Sequence, residues 1–144
     1  MSLYEKLDII ADSYNPILLI LSIVIILVNI KRNRKVYAFY EFVLLTVLIS
    51  LVYLFQAIDN RLSIWSSFGC NYSTHTAFSL AIVFFVLFKG IKTKAYIVTS
   101  FVFYIALMLF QKYHTIIDIL TTIAAISPLM YTIVYFSNKQ LANR

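Results

Sequence analysis

Long apolar stretches with almost no charge constrain the fold of this chain more than any other feature. A helix crosses a bilayer with about 20 apolar residues, and two stretches reach that length, whereas three shorter ones need polar or aromatic residues at their ends. The stretches cover residues 16–30, 36–58, 75–88, 95–110 and 116–136. Because 62% of the 144 residues are hydrophobic and only 12% are charged, one soluble core could not bury so much apolar surface. We therefore predict an all-α fold, a polytopic membrane bundle of about five transmembrane helices.

Residues 1–14 have a different pattern from the rest of the chain. Leu3, Leu7 and Ile10 recur at helical spacing on one face, and Glu5 and Asp8 lie on the other. This pattern predicts a short amphipathic helix that lies in the membrane interface. Residues 15–144 are then expected to form a single transmembrane domain.

The basic residues set the expected orientation. If the five stretches alternate in direction, nine Lys or Arg fall on one side and three on the other, which puts the amino terminus outside and the carboxyl terminus in the cytoplasm. The larger group is Lys31, Arg32, Arg34, Lys35, Lys89, Lys92, Lys94, Lys139 and Arg144, and the smaller is Lys6, Arg61 and Lys112. We expect an integral protein of a plasma membrane, the inner membrane in a bacterium. Topology also accounts for the net charge of +6, so no nucleic-acid partner is expected.

Two short polar islands interrupt the apolar sequence. The first island is residues 73–76, Ser-Thr-His-Thr, and the second is His114 with Asp118 four residues later. Together they contain both histidines of the chain, and each island stands at the start of an apolar stretch. The predicted topology puts both islands on the non-cytoplasmic face, which allows them to form one shared site.

The first island predicts an anion-binding helix start. Ser73 is a preferred N-cap residue, and a helix that begins after it has His75 in its first turn. Free backbone N–H groups and partial positive charge at a helix N-terminus stabilise a phosphate. We expect Ser73 and Thr74 to bind phosphate oxygens beside His75.

The second island predicts a histidine activated by a carboxylate. His114 and Asp118 are four residues apart, so they share one face of a helix and can hydrogen-bond. Such a carboxylate fixes the tautomer of the ring and makes its other nitrogen more basic, which suits a nucleophile or base. One histidine of the shared site could then attack phosphorus while the other protonates the departing oxygen.

The spacing of Ser73, His75, His114 and Asp118, with one apolar stretch and a basic loop between the islands, resembles the type 2 phosphatidic acid phosphatase superfamily over residues 36–136. The resemblance implies a metal-independent lipid phosphatase without a cofactor, which hydrolyses a lipid phosphate or diphosphate through a phosphohistidine. By this likeness His114 is the nucleophile, Asp118 its orienting partner and His75 the acid for the leaving group.

The family's cations fall on apolar residues in this chain. Its lysine position is occupied by Leu54 and its arginine position by Met108, so Arg61 and Lys112 are the expected replacements at the phosphate oxygens. His-Thr in the first island and the bare His-x3-Asp pattern also look like the sphingomyelin synthase branch. That likeness implies the transfer of a phosphate-containing headgroup to a lipid hydroxyl as an alternative to hydrolysis.

Other readings of the polar residues stay open. The histidines could be structural parts of a non-enzymatic bundle, and His75, His114 and Asp118 could instead hold zinc. Cys70 has no partner for an intramolecular disulfide, and Glu41 is expected to reach Lys35 or to pair within the bundle. The membrane lipid that serves as substrate and the oligomeric state are also left open by the sequence.

Overall fold

The computed structural model describes residues 2–87, 89 and 94–142, and within these ranges it contains helices and no strands. The helices are α1 (Leu3–Lys31), α2 (Lys35–Leu62), α3 (Ile64–Ser67), α4 (Thr74–Leu87), α5 (Lys94–Phe110) and α6 (Ile116–Ala142). The predicted all-α bundle is confirmed. Lys92 and Arg144, which contribute to the predicted orientation, lie outside the described residues.

Three of these helices are long and apolar enough to cross a membrane. α1 and α2 contain 29 and 28 residues, and the apolar part of α6 extends over Ile116–Leu141. α4 and α5 are also apolar but contain only 14 and 17 residues. The described residues therefore form a helix bundle in which three helices are long and apolar enough to span a membrane, and two further apolar helices are shorter.

α1 is longer than the first apolar stretch because a capping box starts it early. The hydroxyl of Ser2 accepts the N–H of Glu5 at 3.2 Å, and the Glu5 carboxylate accepts the N–H of Ser2 at 2.7 Å. Residues 3–14 are helical, and they continue into the first span without a break. Their depth relative to the bilayer stays a prediction.

The short helix α4 is the centre of the bundle. It contacts α1, α2, α5 and α6, and most of its side chains are buried, including Ala77, Ala81, Ile82 and Phe85 at 0% exposure. A helix of 14 residues is about 21 Å long, which is shorter than the hydrocarbon core of a bilayer. Because protein covers α4 on all sides, its length need not match the membrane.

The first residues of α4 are recessed below the end of α1. The amide of Asn15 donates to the carbonyl of His75 at 3.4 Å, and Asn15 lies about three turns, or roughly 18 Å, along α1 from Leu3. The hydroxyl of Tyr4 reaches the carbonyl of Gln111 at 3.3 Å, above this level. We name this end of the bundle, where α4 and α6 begin, the histidine end.

We predict that the centre of α4 tolerates no added volume. Replacing Ala81 with Leu forces a larger side chain among four packed helices and should lower the free energy of unfolding by about 2 kcal/mol. The matched control Ala124→Leu adds the same atoms to an exposed site on α6 and should change stability by less than about 0.5 kcal/mol. Unfolding in detergent measures both, and equal effects would contradict a central α4.

Candidate functional site

Ser73 caps the helix that carries the first island. Its hydroxyl accepts the N–H of Thr76 at 3.3 Å and donates to the Thr76 hydroxyl at 2.8 Å. The N–H of Ser73 in turn donates to the hydroxyl of Thr122 in α6 at 3.0 Å. The predicted N-cap is confirmed, and His75 lies in the first turn of α4. Ser73 is fully buried and its hydroxyl is bonded to Thr76, so the predicted contact of this hydroxyl with a phosphate oxygen is not available in this arrangement.

Asp118 joins the starts of α4 and α6. One carboxylate oxygen accepts the N–H of Asn71 at 2.6 Å, and the other accepts the N–H of Thr115 at 2.8 Å. The Thr115 hydroxyl accepts the N–H of Asp118 at 3.2 Å, which completes a capping box. The carboxylate is 3% exposed. Its main contacts are therefore backbone donors of two loops.

His114 lies beside this carboxylate without a hydrogen bond to it. Its Nδ1 is 3.9 Å from an Asp118 oxygen, which is longer than a hydrogen bond allows. The predicted proximity of the two residues is present, but at this distance the carboxylate acts on the ring only through its charge.

The surroundings of His114 shift its pKa. Burial lowers the pKa of His114 below its ordinary value of 6.5, the Asp118 carboxylate opposes this shift, and His75 adds to it. The His114 side chain is 17% exposed, whereas His75 is an exposed residue. A pKa below 6.5 favours the neutral imidazole at pH 7, the form in which a ring nitrogen can act as nucleophile.

An open cavity of about 390 Å³ lies beside His75. Thr74, His75 and Asp12 supply polar groups to its wall, while Leu19 and Phe78 supply apolar ones. The cavity therefore has the mixed lining that a lipid with a polar headgroup requires.

The two predicted cations are not drawn into this cluster. Arg61 is exposed in the last turn of α2, and Lys112 is exposed in the loop between α5 and α6, where its φ of 58° is left-handed. Within the described part of the chain, no hydrogen bond or salt bridge joins either of them to His75, His114 or Asp118. Their role as phosphate ligands stays a prediction.

The α1 residues near the first island and the capping partner of Asp118 were not predicted from the sequence. Asp12 and Asn15 meet the first island only because α1 packs against α4, and no local pattern indicates that contact. Thr115 could have been found, since Thr-x-x-Asp before an apolar stretch is a capping-box signature.

Within the described residues, no three His, Cys, Asp or Glu side chains come together as a metal-binding group. The zinc reading of His75, His114 and Asp118 is therefore not supported by the geometry. Comparison with protein-family models, curated proteins and solved structures found no match. The family resemblance remains a prediction that rests on the residues themselves.

We predict that Asp118 contributes to stability mainly through backbone donors. Asp118→Ala leaves the N–H groups of Asn71 and Thr115 without their acceptor and should lower the free energy of unfolding by about 2 kcal/mol. Asp118→Asn keeps one acceptor oxygen and should cost about half as much. His114→Ala is the control and should cost least, as measured by unfolding in detergent. An equal loss for His114→Ala and Asp118→Ala would make the histidine the main partner of the carboxylate.

The lowered pKa of His114 makes stability depend on pH in a defined direction. Between its folded pKa and 6.5 the unfolded chain binds more protons than the folded one, so the free energy of unfolding falls as the pH falls through this window. His114→Gln cannot titrate and should lose this contribution. Unfolding of both proteins from about pH 8 to about pH 5 measures it. A difference between the two proteins that grows in the opposite direction would contradict the lowered pKa.

Proposed function

We propose that this protein is a membrane lipid phosphatase that hydrolyses a lipid phosphate or diphosphate headgroup at the non-cytoplasmic face, without a metal, through a phosphohistidine at His114. The observation that carries the proposal is the pairing of two histidines from two separate helix starts. Hydrogen bonds from Asn71 to Asp118 and from Ser73 to Thr122 hold the two starts together. His114 lies 3.9 Å from the same Asp118, and an open cavity borders His75.

The two half-reactions use the histidines in turn. Nδ1 of His114 faces Asp118, which leaves Nε2 to attack phosphorus. As the new P–N bond forms, the P–O bond to the lipid breaks and protonated His75 gives its proton to the departing oxygen. The Asp118 charge stabilises the positive ring. Water then attacks phosphorus, His75 takes up its proton, and the P–N bond breaks to release phosphate.

The surroundings of His75 favour a lipid as the substrate. Leu19 and Phe78 offer an apolar wall for an acyl or isoprenoid chain, and the start of α4 presents backbone N–H groups to the headgroup. Asp12 borders the same cavity and repels phosphate oxygens, so the headgroup is expected on the side of α4 and residues 111–115. Arg61 and Lys112 are the cations we assign to its oxygens.

The proposal predicts a large and specific loss of phosphate release on changing either histidine. His114→Ala removes the nucleophile and should lower the rate by about 1,000-fold or more. His75→Ala removes the acid and should lower it by about 100-fold or more. The assay is phosphate release from a panel of purified lipid phosphates and diphosphates by the protein in mixed micelles.

A matched control separates chemistry from folding. Ile117→Ala changes an exposed side chain next to the site and should keep the wild-type rate and melting temperature. The loss of phosphate release in His114→Ala is evidence for catalysis only if this variant has the same melting temperature as the control. A folded His114→Ala protein that releases phosphate at the wild-type rate would exclude the phosphohistidine.

Headgroup transfer is the second candidate, because the apolar wall of the cavity suits an acceptor lipid as well as a substrate. Transfer shares the first half-reaction and replaces water with a lipid hydroxyl. Added lipid alcohol should then form a new phospholipid while the release of free phosphate falls. Absence of that product at every alcohol concentration would exclude transfer.

A non-enzymatic bundle is the third candidate, and the saturated carboxylate of Asp118 is the observation that favours it. In that case the polar islands serve only to cap α4 and α6 and to join their loops. His75→Ala and His114→Ala would then affect the protein only in proportion to any fall in melting temperature.

A further inference from the structure

The end of the bundle opposite the histidines contains a second polar cavity, between α1 and α2. It has a volume of about 310 Å³. Polar side chains from α1, from α2, from the loop between them and from the loop after α4 line it: Asn29, Arg32, Arg34, Tyr37, Glu41 and Lys89.

A buried ion pair forms one wall of this cavity. Glu41 and Lys89 have side chains that are 1% and 4% exposed, and Lys89 Nζ lies 3.2 Å from a Glu41 oxygen. The other Glu41 oxygen accepts the amide of Asn29 at 2.8 Å. Glu41 therefore pairs within the bundle, which was one of the two partners predicted for it, and does not pair with Lys35. Its charge and both of its oxygens are thus accounted for by neighbours.

The Lys89 ammonium is not satisfied in the same way. The Glu41 oxygen at 3.2 Å is its charged partner, but no well-aligned hydrogen bond to Nζ is present among the described residues. The rings of Tyr37 and Phe85 lie 5.2 and 5.1 Å from Nζ and stabilise its charge without accepting all three of its hydrogens. A buried ammonium with free donors in a cavity calls for an anionic oxygen.

The other charged side chains that line the cavity are positive, like Lys89. Arg32 and Arg34 stand at its rim and are exposed, so three cations face the single carboxylate of Glu41. Val24 and Val28 line the part of the wall along α1, which leaves room for an apolar chain next to the cations. Guanidinium groups bind phosphate oxygens in pairs, whereas an ammonium binds as a point charge.

We propose that this cavity binds the phosphate group of an anionic phospholipid, with Lys89 donating to one oxygen inside it and Arg32 and Arg34 holding the others at the rim. Free inorganic phosphate has the same chemistry and is the other possible source. The site lies at the opposite end of the bundle from the histidines and does not depend on the proposed reaction.

Thermal unfolding in mixed micelles of detergent and zwitterionic phosphatidylcholine tests the site. Dioleoylphosphatidylglycerol is titrated in one arm and inorganic phosphate in the other. We expect the anionic lipid to raise the melting temperature in a saturable manner at lower concentration than phosphate, because its chain adds contacts with the apolar wall. Stabilisation by phosphate alone would make free phosphate the ligand, and no saturable shift in either arm would overturn the proposal.

Charge-matched variants distinguish a site from general attraction to a basic surface. Arg32→Gln with Arg34→Gln removes two rim cations and should raise the half-saturating lipid concentration about tenfold. Lys31→Gln with Lys139→Gln removes two exposed cations that do not border the cavity, and it should change this concentration little. Equal changes in the two double variants would overturn the site.

A third variant tests the buried ammonium. Glu41→Gln with Lys89→Gln removes the ion pair without leaving a lone buried charge. It should weaken the saturable shift at least as much as loss of the two arginines. If this protein unfolds cooperatively and retains the wild-type response to the lipid, Lys89 does not hold the phosphate and the proposal fails. If it does not fold, the exposed arginine variants alone decide.

Discussion

The carboxylate of Asp118 is the interaction on which the histidine end depends. It binds backbone N–H groups of Asn71 and Thr115, which precede α4 and α6 respectively. A second link runs from Ser73 to Thr122 between the same two elements. Because the bond from Ser73 to Thr122 is buried and the two bonds to Asp118 are partly buried, losing one leaves a donor poorly satisfied. The two polar islands are held together by the same groups that start their helices.

The central position of α4 follows from its composition and decides where chemistry can occur. α4 is apolar on every face, so it must be surrounded by other helices or by lipid. Surrounded by four helices, it can be short, and its start lies below the end of α1. His75 and the cavity beside it are consequently recessed, and Leu19 and Phe78 form an apolar part of the cavity wall.

Ionisable groups lie at both ends of the bundle, and the two sets differ in how fully their hydrogen-bonding groups are paired. At the histidine end each oxygen of the Asp118 carboxylate accepts a backbone N–H, and His114 lies 3.9 Å from it. At the opposite end Glu41 is satisfied by Asn29 and Lys89, while the Lys89 ammonium keeps unused donors. Buried charge in a membrane bundle is expensive, so an unsatisfied group of this kind indicates a ligand.

Much of the local structure could be predicted from the sequence. The apolar stretches that begin at residues 36, 75, 95 and 116 correspond to helices that begin at Lys35, Thr74, Lys94 and Ile116. Ser73 was identified as an N-cap because capping is a contact between residues three apart. The proximity of His114 and Asp118 was predicted as well, but the shared helix face was wrong, because α6 begins at Ile116 and His114 lies in the loop before it.

What the sequence alone determined is thus the all-α membrane bundle, the positions of its helices and the two helix starts that carry the histidines, because these depend on apolar length and on contacts within one turn. Only the tertiary structure decided that α4 is central, that Asp12 and Asn15 meet the first island, and that Lys89 pairs with Glu41. It also decided that the Asp118 carboxylate lies closer to the backbone N–H groups of Asn71 and Thr115 than to the ring of His114. Those contacts join residues far apart in the chain. Sequence spacing does not distinguish between their possible partners, and only the packing of the helices decides which of them meet.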